Sequence, residues 1–176
     1  MALTGPELLT VVHGIGFGAV FLLAYSGALE GLWGLSPEWA GGPSAVARRR
    51  RLSVAVCGMA VLAWLTVLTG LYGVYPLYRA VPPAGADLRQ FPQVYLLADP
   101  MLAAWDTFAA AWKAHIACLC PILSTAVAAV VLRYGPELAE QVQVRRALIV
   151  LLTLAFAAAG LAGGLGALLT KVAPVQ

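Results

Sequence analysis

The chain has 176 residues, 61% of them hydrophobic and only 11% charged, with a net charge of +3 and a mean hydropathy of +0.86. A soluble domain is roughly 45–50% apolar and about 25% charged. A chain this apolar could not cover its own surface in water, which excludes a soluble protein, and the same numbers exclude disorder. The arginines sit beside apolar runs and form no basic face, which excludes nucleic-acid binding.

What remains is an all-α polytopic membrane protein, because a bilayer accepts only helices or closed barrels and the strict alternation of barrel strands is missing. In chain order, span one is predicted over about 8–35, with His13 about one and a half turns in and Glu30 near its other end. Its leading segment MALTGPELL carries no Lys or Arg and its apolar run is far longer than a signal peptide's, so it is expected to be retained. A Pro/Gly turn region at 36–47 leads to span two, about 52–77. The connection 78–104 holds Pro82-Pro83, Pro92 and Asp99-Pro100, so it is not one helix. Its stretch Phe91 to Leu97 is apolar enough to lie along a membrane surface. Span three follows at about 105–132, and a short loop opened by Tyr134-Gly135-Pro136 leads to span four, about 147–170. The expectation is an up-and-down four-helix bundle forming one membrane domain over 1–176.

Arg48 to Arg51 precede span two, and Arg133, Arg145 and Arg146 lie between spans three and four. By the positive-inside rule these mark the cytoplasmic side. Both termini and the 78–104 loop are then extracytoplasmic, and the expected location is a bacterial cytoplasmic membrane.

Cys57, Cys118 and Cys120 all fall within predicted spans, and no CxxC or CxxCH occurs, so neither a standard zinc site nor covalent haem attachment is indicated. Cys118 and Cys120 point in nearly opposite directions on a helix, and all three are expected to be packing residues.

The only two histidines are His13 in span one and His115 in span three. Both spans run inward, so both histidines fall in the same outer third of the membrane. An ionisable ring within a span is costly and points to function, and two imidazoles from different helices can ligate one haem iron. Gly14, Gly16 and Gly18 would leave room for a porphyrin, Gly16 lying on the face of His13. Propionates would want cations near the interface. Tyr72, Tyr75 and Arg79 share a helix face at that end, with Lys113 and Arg89 as further candidates. Plain alternatives stand beside this. The histidines can hydrogen-bond to water or across helices, and the tyrosines can form an aromatic belt. The Gly160–Gly164 GxxxG, reinforced by Ala155, Ala159, Gly163 and Ala167, can serve close helix packing.

Glu30 could relay a proton or sit at headgroup level near Trp33. Thr66, Thr69, Ser124 and Thr125 can bond their own helices. Pro121 would loosen span three. Asp99 and Asp106 flank the start of that span. No phosphate loop, HExxH or nucleophile arrangement is present.

In its four spans, with His13 and His115 on two helices at matching depth, the chain resembles the small four-helix b-type membrane cytochromes. The resemblance covers His13 and His115 and implies one b-type haem held between them; Gly16, Tyr75 and Arg79 are the residues that spacing and helix face would place around it. Many such cytochromes carry two haems and four histidines; this chain has half that number. It also implies electron transfer with other membrane or extracytoplasmic redox subunits or with quinone. With no nucleophile arrangement or second cofactor visible, the chain is expected not to be an enzyme on its own. A cofactor-free bundle anchoring a larger complex is the second expectation, and proton or ion transport through Glu30 the third.

Overall fold

The computed structural model describes residues 5–38 and 42–173. Residues 1–4 and 174–176 of the expected domain, and 39–41 of the expected turn, lie outside the described residues. No strand occurs among the described residues. Four helices are each long and apolar enough to cross a membrane: span one Leu8–Trp33, span two Ala45–Tyr78, span three Trp105–Tyr134 and span four Val142–Val172. The chain is thus an all-α four-helix bundle with the composition of an integral membrane protein.

The spans are longer than hydropathy alone marks them. Span two begins at Ala45, so Arg48–Arg51 form its first turns and do not precede it. Span four begins at Val142 and takes in Arg145 and Arg146. A backbone hydrogen-bond ladder does not end where the apolar solvent ends, and arginine is a good helix former. The turns between spans are short, and Ala45 N–H donates to Gly42 O at the start of span two.

Spans one and two, two and three, and three and four pack as neighbours, and span four closes on span one. Spans one and three are therefore diagonal. The main core draws Ala28 and Leu32 from span one, Val56 and Met59 from span two, Val127 and Val131 from span three, and Leu152 and Ala155 from span four. It fills the arginine-rich end and the middle of the bundle. Outward-facing apolar residues such as Leu23, Ile15 and Trp33 are largely exposed, as lipid contact demands.

The other end is built differently. Pro92–Ala98, the stretch expected to lie along a membrane surface, is a helix folded onto spans three and four. Its Leu96 is fully buried with Ala109, Leu169 and Ala173. Span one, in the same region, packs on span two. Three spans also carry a π-helical turn toward this end: Val12–Gly16, Gly70–Val74 and Trp105–Ala110. The second has a local cause. Pro76 has no N–H to give to the carbonyl one turn back, so the ladder must rearrange there.

Close approach of helices depends on glycines other than those the GxxxG pattern suggested. A Cβ on Gly160, Gly163 or Gly164 would meet nothing within 4 Å. The buried line of span four runs through Ala155, Ala158, Ala162 and Leu169, with Gly166 in phase with it. In span one, a Cβ on Gly31 would come within 2.9 Å of Leu52 Cδ1 and 3.2 Å of its Cβ. Replacing Gly31 by Val should therefore lower stability by about 1–3 kcal/mol, measured as thermal unfolding in detergent. Gly163→Ala should hold or raise it by up to about 1 kcal/mol through helix propensity.

Candidate functional site

The helix phase of span three decides what enters the bundle at the loop end. At 3.6 residues per turn, Lys113 lies in phase with the buried Cys120 and Ser124, seven and eleven residues on. His115, nine residues from Ser124, lies on the opposite side. The side chains agree: Lys113 is half-buried and His115 exposed. Lys113 lays its stem across Gly166 of span four, where a Cβ would stand 2.9 Å from Nζ and 3.1 Å from Cε.

Span one supplies His13, half-buried in the first π turn. Its ring lies over Gly70 of span two, where a Cβ would come 2.9 Å from Cε1. Gly70 continues the buried line of span two that runs through Val56 and Ala63. His13 thus turns inward, toward span two. Counted from the helix ends at 1.5 Å per residue, His13, Thr69, Lys113 and Gly166 all lie about 9–14 Å in. Each span therefore brings one of these positions to a similar distance from the loop end of the bundle.

Donor counting fixes the state of the imidazole. The Thr69 hydroxyl donates to Leu65 O at 2.7 Å. Having one hydrogen, it can only accept from His13, whose Nδ1 lies 2.9 Å away. The neutral ring therefore carries its proton on Nδ1 and presents Nε2 as a bare lone pair. His115 Nδ1–H donates to Ala111 O at 2.7 Å, within its own helix. Both histidines thus have a free Nε2, but on opposite sides of the wall that span three makes. The structure does not bring the two together; Lys113 stands where His115 was expected.

The other expected positions form a second, separate cluster nearer the surface. Arg79 Nη1 donates to Tyr75 Oη at 3.4 Å, its guanidinium stacks on the Tyr75 ring at 5.6 Å, and its Nε donates to Gln93 Oε1 at 3.3 Å. Asp106 accepts from Tyr78 Oη at 2.6 Å and from Gln93 Nε2 at 3.1 Å. Gln93 thus links the end of span two, the start of span three and the loop helix between them. Gly16 is exposed in the π turn of His13, and Tyr72 is 75% exposed. At the far end Glu30 is exposed in the last turns of span one, close in sequence to the exposed Trp33.

The cysteines diverge as the helix phase requires, Cys118 exposed and Cys120 buried. Among the described residues no three His, Cys, Asp or Glu side chains gather as a metal site. Sequence reasoning placed Lys113 at the boundary and missed its inward aim. The available signal was its seven-residue spacing to Cys120 and eleven-residue spacing to Ser124. Comparison with protein-family models, with curated proteins and with solved structures finds no match to this chain.

Two outcomes follow. Nitrogen NMR of histidine-labelled protein should find both neutral rings protonated on Nδ1; Thr69→Val should release His13 from that tautomer and leave His115 unchanged. Asp106→Ala removes the acceptor of two side chains, one of them from the loop helix, and should cost about 1–3 kcal/mol. Its signature is faster amide hydrogen exchange across Pro92–Ala98, with span four unaffected.

Proposed function

We propose that this chain is the membrane subunit of an electron-transfer complex, and that its working part is the layer of His13, Thr69 and Lys113. One observation carries the reading: an ammonium group and an imidazole turn into the bundle at one depth, and no acid partner for Lys113 occurs among the described residues. Placing a lysine within a span costs roughly 2.5–3.5 kcal/mol at mid-membrane. A bundle that served only as an anchor would gain nothing from it.

The layer offers a cationic donor in Lys113 and a lone pair on His13 Nε2. It calls for a ligand with oxygen at its edge and a group that accepts the imidazole or donates to it. Two membrane-resident redox groups have that chemistry. A b-type haem carries propionates that suit Lys113 and an iron that suits His13 Nε2; a quinone carries carbonyls for Lys113 and, when reduced, hydroxyls for His13. Haem bound here supplies one-electron redox chemistry. His13 would hold it, Lys113 would balance one propionate, and Thr69 would keep the imidazole in the ligating tautomer. His115 faces the other side of span three and is not counted in this site. Arg79 and Tyr75 belong to the surface cluster above it.

A reduced-minus-oxidised optical spectrum of the purified protein tests the reading. The haem form predicts a b-type difference spectrum that is lost or shifted in His13→Ala and retained in His115→Ala. A colourless protein that retains extractable quinone, and loses it in Lys113→Met, selects the quinone form. Protein with neither group, or with a haem spectrum that depends on His115 and not on His13, overturns the assignment.

A further inference from the structure

A groove of about 910 Å³ runs down the lipid-facing side of spans one and two at the arginine-rich end. Val20 and Leu23 of span one form one wall and Val54 and Leu62 of span two the other. It exists because the residues between them are small. Ala24 and Gly58 lie on its floor, and a Cβ on Gly58 would stand 4.0 Å from that of Ala24. Arg50 and Arg51 line its mouth, both exposed. Among the described residues neither guanidinium has a hydrogen-bonded or carboxylate partner.

We propose that this groove is a binding site for one anionic phospholipid, its phosphate held by Arg50 and Arg51 and an acyl chain lying on the Ala24–Gly58 floor. Charge and length both select this occupant. The groove is apolar everywhere except at the mouth, where both charges are positive, and arginine is suited to hold phosphate through paired N–H donors. From Arg50 to Leu62 is twelve residues, or about 18 Å of helix. One leaflet of a hydrocarbon core about 30 Å thick is about 15 Å deep. A chain running from the arginines to Leu62 therefore crosses one leaflet and stops. A neutral partner helix would leave both guanidinium groups unmatched at its edge. The proposal is independent of the redox reading, which concerns the opposite end of the bundle.

The test is a titration of purified protein in detergent with phosphatidylglycerol or phosphatidylcholine, read by native mass spectrometry. Phosphatidylglycerol should bind more tightly. Arg50→Gln and Arg51→Gln should each weaken it about fivefold, the effect of removing one cation near a phosphate, and Arg50→Lys should restore part of the loss. Gly58→Leu fills the floor and should weaken phosphatidylglycerol with the arginines intact. Val54→Trp, at a position 63% exposed, does the same should Gly58→Leu fail to fold. Equal binding of the two lipids overturns the proposal, as does phosphatidylglycerol binding that survives both charge removals. Loss on charge removal with no response to groove filling assigns the effect to surface charge and overturns the groove.

Discussion

The polar layer depends on a shortage of donors. In hydrocarbon no water repairs an unmatched group, so every polar hydrogen must be placed by the protein. Thr69 has one, and Leu65 O takes it. The hydroxyl that remains is an acceptor, and it orients the imidazole that arrives from span one. The orientation of His13 is therefore set by a hydrogen bond that Thr69 makes to its own helix. Gly70 lets the ring approach, and the π turns on either side shift each backbone so that it can. A side chain at 70 would displace the ring and leave Thr69 without its donor.

Hydropathy made the spans legible because one solvent condition, about 30 Å of hydrocarbon, acts on every residue of each run. It misjudged their ends at Ala45 and Val142, where arginines at the interface continue the helix at no cost in lipid. The site was half legible. The depth of His13 follows from its position in the run. Which of Lys113 and His115 turns inward does not, because the two are only two residues apart and a hydropathy window weighs them alike. Only the phase set by Cys120 and Ser124 separates them, and that phase becomes visible once span four is packed against one face. The same ambiguity misdirected the glycines of span four: Gly163 and Gly166 both suit a small-residue motif, but Lys113 covers only Gly166. The pairing of Asp106 with Tyr78 and Gln93 joins positions 28 and 13 residues apart, and no local pattern encodes it.

The two ends of the bundle solve different problems. At the arginine-rich end all four spans meet around a dry core of Leu, Val, Ala and Met, where Leu32 and Met59 are wholly buried. Toward the loop end span one leans on span two, while spans three and four pack with the loop helix and with Tyr78 at the end of span two. Polar contacts gather there as well: the Tyr78–Asp106–Gln93 bridge joins spans two and three near the surface, and beneath it His13 of span one bonds Thr69 of span two.

That division explains where a polar layer is tolerable. A lysine set among Val56, Val127 and Leu152 would have to displace apolar atoms packed at solid density. Lys113 instead lies where span four brings Gly166 to face it, about 12 Å from the start of its span, and its stem can extend along Gly166 toward the membrane surface. The rigid half holds the helix phases that aim His13 and Lys113 inward.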